Sequence, residues 1–177
     1  MSALLRSLVL AQASAAVQPA PVAQAAPFGA QWTAIIGTWS GEGQGQSGVS
    51  GGESSFAFEL AGHVIVRRSY ADYPAAEGRP AVHHEDLLVI YPEGGATGAR
   101  AAYFDNEGHV IEYAASWSSD GETLTLWSDA RQGAPRFRLT YHLLPPERMS
   151  VAFDIAPPGT EAFAPYVGGV LHRVPGR

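Results

Sequence analysis

The sequence predicts an all-β fold, a single antiparallel up-and-down β-barrel of about ten strands. From residue 35 onward, runs of alternating apolar and polar residues are separated by Gly, Pro, Asn or Asp, at the spacing of roughly 8–12 residues typical of sandwiches and barrels. No later stretch long enough for a helix sustains an apolar period of about 3.6 residues. A meander of this length normally closes into a barrel, because closure removes its unpaired edges. A two-sheet sandwich is the alternative.

The first three predicted strands cover residues 35–46, 56–60 and 63–67. Alternate glycines in the first strand leave one of its faces almost bare, which suits a sharply bent barrel strand. The second and third strands meet across Ala61-Gly62, a connection short enough for a tight hairpin.

The next three predicted strands cover 87–91, 100–105 and 109–117. The first of them is almost wholly apolar and is ended by Pro92, which cannot donate a hydrogen bond to a neighbouring strand. The other two flank Asn106-Glu107-Gly108, a loop whose glycine is suited to a positive φ angle.

Four further strands complete the predicted meander, and most of them follow a turn signal. They are 123–128 after Ser119-Asp120-Gly121, 136–144 after Pro135, 149–155 after Pro145-Pro146, and 166–174. One helical turn is predicted at 160–163, with Thr160 as its N-cap and Pro165 ending it.

Composition excludes several classes of function. The 177 residues suffice for one domain with a sizeable core, without disulfide or metal staples. There is no Cys, which excludes thiolate nucleophiles, zinc fingers and iron–sulfur clusters. The formal charge is −6, from 17 acidic and 11 basic residues, so we expect no nucleic-acid partner.

Residues 1–30 differ from the rest of the chain and are read as a signal peptide or a disordered Ala/Pro-rich tail, which leaves residues 31–177 as the barrel domain. Arg6, the apolar stretch 7–17 and Ala23-Gln24-Ala25 supply the three parts of a secretory signal. Export would place the protein in the periplasm or outside the cell, and a tail would leave it in the cytoplasm. No apolar run approaches the ~20 residues of a membrane-spanning helix.

The strand 136–144 carries apolar residues on one face and polar residues on the other. By default the apolar face fills the core and the polar face, with Arg138 and His142, meets solvent. A barrel with a ligand in its lumen offers another arrangement, in which these side chains face the ligand.

A second polar group, His83-His84-Glu85-Asp86, comes just before an apolar strand. Adjacent residues on a strand point to opposite faces, so His83 and His84 are poorly placed to share a metal ion. The sequence also has no H-x-H or H-E-x-x-H pattern, so no metal site is predicted.

The hairpin around residues 106–108 brings Tyr103, Asp105 and His109 together. An Asp–His pair orients an imidazole for acid–base work, but at the end of a hairpin the same pair also forms a surface hydrogen bond. His84 and Asp86 make a second such pair, and neither pair has an obvious nucleophile beside it.

The segment Gly37-Thr38-Trp39-Ser40-Gly41-Glu42-Gly43-Gln44-Gly45 carries a resemblance to known families. Its G-x-W resembles the first strand of the calycin superfamily, which includes lipocalins and fatty-acid-binding proteins. The longer G-T-W-x-G-x-G-x-G form resembles nitrobindins, which are small haem-binding barrels, and related bacterial barrel proteins of unknown function. Segments 60–67 and 103–111 are similar to that bacterial set. The resemblance implies a calycin-like barrel in which Gly37, Trp39 and Gly41 are a structural motif.

The last strand departs from the nitrobindin pattern. Leu171-His172-Arg173-Val174 resembles the closing L-x-R-[VI] of nitrobindins, which have their haem-ligating His a few residues earlier. That position falls on Tyr166 here. Tyr ligates haem in catalase, so the resemblance implies either Tyr166 or a His as axial ligand, or a barrel without haem. Peroxynitrite isomerisation is not carried over.

Three functions are consistent with these observations. The first is a non-enzymatic binding protein that holds a small apolar or amphiphilic ligand in the lumen. The second is a haem-binding protein of the nitrobindin (peroxynitrite isomerase) type, and the third is a structural or partner-binding barrel. The residues assigned to ligand binding are His84, Tyr103, Asp105, His109, Arg138, His142 and Tyr166. Catalysis, cofactor, ligand identity and oligomeric state are left open.

Overall fold

Ten antiparallel strands form one closed barrel in the computed structural model of the chain, which describes residues 28–41, 51–93 and 98–176. Each strand pairs with its neighbours in sequence, and the first pairs with the last. The strands are β1 (Gly37–Gly41), β2 (Gly51–Glu59), β3 (Val64–Tyr73), β4 (Val82–Pro92), β5 (Ala99–Asp105), β6 (Val110–Trp117), β7 (Thr123–Ser128), β8 (Arg136–Leu144), β9 (Arg148–Ala156) and β10 (Ala164–Arg173). The predicted up-and-down barrel is confirmed, and the sandwich alternative is wrong.

The predicted strands differ from the observed ones mainly in the first four strands. β2 begins five residues earlier than predicted, β3 ends six residues later, and β4 begins five residues earlier, so that residues 82–86 belong to β4 itself. β1 begins two residues later than predicted, because Ala30–Ile35 forms a 3₁₀ helix. The predicted continuation over 42–46 lies outside the described residues, as does most of the predicted signal or tail. The hairpin between β2 and β3 contains a 3₁₀ turn over Leu60–Gly62, in which Ala61 has a φ of 57°.

The helical turn predicted at 160–163 does not form. The backbone N–H and the hydroxyl of Thr160 both donate to the carbonyl of Pro157, each at 3.1 Å. Thr160 therefore ends a turn that precedes it and does not cap a helix that follows it. Residues 160–163 have no regular structure.

The pairing register keeps apolar side chains inside around the whole barrel. Leu139 and Tyr141 of β8 are paired with Leu126 and Leu124 of β7, and all four are buried. Alternate residues of β8 face outward, as the apolar and polar rows of that strand predicted by default.

The two ends of the barrel differ. At the end where β2 finishes and β3 begins, the 3₁₀ helix Ala30–Ile35 buries Trp32 and Ile35. The Trp32 ring packs edge to face against Phe28 and Trp117, with ring centroids 5.1 and 5.6 Å apart. We call this the plugged end. The opposite end, where β3 and β5 finish and β4 and β6 begin, is the open end.

A cation–π contact joins the first strand to the last. The Arg173 guanidinium lies 4.1 Å from the centre of the Trp39 ring. The same guanidinium donates to the carbonyls of Ala34 and Ile36, both at 2.6 Å. Gly37 has a φ of 126°, and a Cβ there would lie 2.8 Å from Arg173 Nη1. Gly37 and Trp39 therefore both lie against Arg173 at the junction of β1 and β10.

Candidate functional site

Two of the predicted ligand-binding residues lie on the outer face of the barrel. Arg138 pairs with Asp154 at 2.9 Å and lies 5.3 Å from the centre of the Trp127 ring. The Nδ1 atom of His142 is 2.9 Å from the hydroxyl of Thr123. A ligand held inside the barrel would contact neither Arg138 nor His142.

The inner wall is incompletely filled towards the open end. Several inward-facing side chains there are only half-buried, although the barrel around them is closed; they are Tyr73, His84, Tyr103, Ile111, Phe137, Val151, Phe153 and Val167. Gly169 also faces inward, because it pairs with Val151, and a Cβ added to it would have no neighbour within 4 Å among the described residues. Among the described residues, the open half of the barrel therefore has unfilled space next to its inner wall.

A buried ion pair forms the floor of this open half. Arg67 of β3 donates to the Asp86 carboxylate of β4 and to the Tyr141 hydroxyl of β8. The side chains of Arg67 and Asp86 are only 6% and 10% exposed. Two charges removed from water in this way need each other and further hydrogen bonds. The Arg67 Nε atom is buried and has no hydrogen-bond partner among the described residues.

The environment of the floor keeps Arg67 charged and its tyrosine partner neutral. Burial lowers the pKa of Arg67, but Tyr141 and Asp86 outweigh burial and raise it above its ordinary value. Burial raises the pKa of Tyr141, although the Arg67 charge opposes this. Burial likewise raises the pKa of Tyr113, which also faces inward near this pair. The tyrosine hydroxyls therefore keep their protons at neutral pH.

Polar contacts continue from the floor to the rim of the open end. His84 Nε2 lies 3.7 Å from Asp86 Oδ2 and 3.2 Å from the hydroxyl of Tyr103. That hydroxyl donates to Asp105 Oδ2 at 3.2 Å. The β4–β5 register, which pairs Asp86 with Asp105, brings these residues together. Burial is the main cause that raises the pKa of Tyr103, followed by the charges of Asp86 and Asp105.

At the rim, Asp105 holds the β5–β6 hairpin in shape. Its carboxylate accepts the backbone N–H groups of Glu107 and His109 at 3.0 and 2.9 Å and lies 2.9 Å from His109 Nδ1. Burial alone would raise the pKa of Asp105, but the bonds from His109 and Glu107 outweigh it and lower the pKa. Glu107 also reaches His84, at 3.3 Å. The predicted Asp105–His109 pair therefore exists, and its carboxylate stabilises the turn.

Tyr166 lies at the open end and away from the floor. It falls where the β9–β10 register shifts, between Pro165 and Val167, and it is 70% exposed. Its ring meets the Phe153 ring edge to face, with centroids 6.1 Å apart. Its hydroxyl is also one of the groups that raise the pKa of Tyr73, after the main cause, burial.

The described residues do not provide a ready axial ligand for haem. His84 is the one imidazole on the described inner wall, and both of its nitrogens lie near other polar atoms. Tyr166 is largely in solvent, whereas an axial ligand has to face the iron inside the pocket. Among the described residues, no group of three or more His, Asp or Glu side chains could hold a metal ion.

Sequence reasoning found the rim of this site and missed most of its floor. His84, Tyr103, Asp105 and His109 were assigned to ligand binding from the sequence. The structure brings them together, and their role in binding stays a prediction. Arg67 was missed, although side chains alternate between the two faces of a strand and Arg67 therefore lies on the same face as the apolar Ile65. A charged residue in register with a core residue was the available signal. Tyr141 was assigned to the apolar face of its strand, and the bond that its hydroxyl accepts from Arg67 was not predicted.

The comparisons with known proteins do not assign the chain to a family. No family model matches the chain, and no curated protein matches it. The closed ten-stranded barrel is consistent with a calycin-like fold, while the likeness to nitrobindins or fatty-acid-binding proteins rests on the sequence motifs alone. Among the described residues, no helix is long and apolar enough to cross a membrane.

Proposed function

We propose that the protein binds a small amphiphilic molecule in the open half of its barrel. The observation that carries this proposal is a set of inward-facing apolar side chains that stay accessible above a buried polar floor. Ligand pockets commonly combine apolar walls with a few polar groups that fix orientation. No catalytic step is assigned to the site.

The two parts of such a ligand have different environments in the barrel. Phe137 and Phe153 stack with their ring centroids 5.7 Å apart and offer an apolar wall on β8 and β9. Arg67, Asp86 and Tyr141 offer hydrogen-bonding groups below it. An amphiphile would lay its apolar part along the stacked rings and its polar end towards the floor.

Filling the space at Gly169 tests where the ligand binds. The probe is N-phenyl-1-naphthylamine, an uncharged dye that fluoresces in apolar sites. We expect Gly169→Leu to weaken its binding by about tenfold or more, which corresponds to about 1.4 kcal/mol. The matched control is Val170→Leu, which changes the next residue of β10 on its outward face and should leave the affinity unchanged. Equal affinities for the wild type and Gly169→Leu would contradict a lumen site.

Haem binding is the competing function, and the same protein tests it. Ferric haem is added to the full chain, and the Soret band is recorded with and without Tyr166→Phe. We expect the spectrum to remain that of free haem, because Tyr166 is largely exposed. A shifted band that Tyr166→Phe removes would favour a haem protein over an amphiphile carrier.

A further inference from the structure

We propose that the site selects a ligand whose polar end is uncharged, such as an alcohol or a carbonyl compound, over a carboxylate of the same chain length. This inference rests on the proposed function and specifies the chemistry of its ligand. It comes from the balance of charges at the floor and rim of the open half.

The one buried cation at the floor is already neutralised. The Arg67 guanidinium contacts Asp86, and both side chains are nearly inaccessible. A ligand carboxylate next to this pair would bring a second anion to a single buried cation. The second anion would lose its water without gaining an unpaired positive partner, which is unfavourable in a protein interior.

The other charged groups along the inner wall strengthen this preference. Asp105 lies above the floor and keeps its carboxylate charged, and Glu107 adds a further carboxylate at the rim. Arg173 also faces the interior, but it lies towards the plugged end and is paired there with Glu147 at 2.5 Å. Among the described residues, the open half therefore sets one guanidinium, that of Arg67, against the carboxylates of Asp86, Asp105 and Glu107, which lie beside the imidazoles of His84 and His109.

The floor still has hydrogen-bonding capacity for an uncharged group. Arg67 Nε is a buried donor without a partner among the described residues, and a buried donor left in that state is unfavourable. Tyr141 accepts a bond from Arg67, so its own hydroxyl proton is a further donor in the cluster. A hydroxyl or carbonyl oxygen would satisfy such donors without adding charge.

The test compares 1-dodecanol with dodecanoate, which have equal chain lengths, as competitors of N-phenyl-1-naphthylamine at pH 8. We expect dodecanol to compete at least about tenfold better in the wild type. A dodecanoate that competes as well as dodecanol, or better, would overturn the inference and leave the proposed function standing. If the dye and both competitors fail to bind, by fluorescence and by native mass spectrometry, the proposed function itself fails.

Because any apolar pocket favours an alcohol over an anion, the deciding measurement is the effect of Asp86→Asn. This variant keeps the side-chain shape and leaves the Arg67 charge unbalanced. We expect the ratio of its dodecanoate affinity to its dodecanol affinity to rise by about tenfold or more over the wild-type ratio. An unchanged ratio in the folded variant would overturn the inference.

Glu85→Gln is the matched control, since it removes the same charge one residue away. The Glu85 side chain faces outward and is 65% exposed, so its loss should leave both affinities unchanged. An equal rise in the ratio of dodecanoate to dodecanol affinity in Glu85→Gln would indicate a general effect of net charge and would overturn the assignment to the floor. Circular dichroism establishes whether Asp86→Asn is folded. If it is not, a dodecanoate that competes in the wild type as well as dodecanol still overturns the inference.

Discussion

At the scale of single residues, the Asp105 carboxylate has the clearest thermodynamic role. It is only 4% exposed, yet it accepts two backbone N–H groups and lies within hydrogen-bond distance of the His109 ring. Its pKa is lowered in the folded protein, because these bonds outweigh the effect of burial. The charged carboxylate therefore stabilises the fold above the unfolded-state pKa of Asp, about 3.9, and this stabilisation is lost as the pH falls through the lower folded-state value.

We predict that Asp105→Asn lowers the free energy of unfolding at pH 7 by about 1–3 kcal/mol. The difference from the wild type should shrink as the pH falls below about 3.9, because the wild-type carboxylate then becomes protonated. Urea unfolding of both proteins at several pH values between 3 and 7 measures this difference in the free energy of unfolding. The control Glu77→Gln changes an exposed carboxylate and should alter stability by less than about 0.5 kcal/mol throughout. A pH-independent deficit in Asp105→Asn would contradict this role of the charge.

Among the site residues, contacts within one hairpin could be predicted from the sequence, whereas contacts across the barrel could not. Tyr103, Asp105 and His109 belong to one hairpin, so their proximity follows from local spacing. The Arg67–Tyr141 bond joins β3 to β8 across the barrel, and no local pattern indicates a contact 74 residues apart. Contacts of that kind depend on closure and register, which are properties of the whole sheet.

At the scale of elements, the number and order of the strands were predictable, whereas the outer halves of β2, β3 and β4 and the 3₁₀ helix were not. Alternation and turn residues mark each strand, because both reflect local geometry. The helix Ala30–Ile35 lacks a side-chain cap and follows no alternating pattern. It is held by the burial of Trp32 and Ile35 against the barrel, so its stability comes from packing that only the closed sheet supplies.

Besides the backbone pairing of β1 with β10, Arg173 provides side-chain contacts across their junction. We predict that Arg173→Ala lowers the free energy of unfolding by about 2–4 kcal/mol, because it removes a cation–π contact and charged hydrogen bonds. The control Arg148→Ala, in the partner strand β9, removes an exposed guanidinium whose bond to a carbonyl measures 3.4 Å. It should cost less than about 0.5 kcal/mol. Equal losses in the two variants, measured by urea unfolding, would show that the Trp39 contact adds nothing specific.

At the scale of the whole molecule, the two ends of the barrel differ in packing, and the proposed binding site lies at the less densely packed end. The plugged end packs Phe28, Trp32 and Trp117 into a continuous apolar contact. The open end leaves Phe153 half-buried beside the space at Gly169. Substitutions at the two ends should therefore act on different measurements.

We predict that Trp32→Ala lowers the free energy of unfolding by about 3–5 kcal/mol, yet leaves the affinity for N-phenyl-1-naphthylamine within about twofold in the folded protein. Phe153→Ala should do the reverse, with an affinity loss of about tenfold and a smaller loss of stability, because its ring is already partly accessible. Urea unfolding and dye titration on both variants measure the two effects. If Trp32→Ala weakens dye binding as much as Phe153→Ala does, the ligand site extends through the whole barrel and is not confined to the open half.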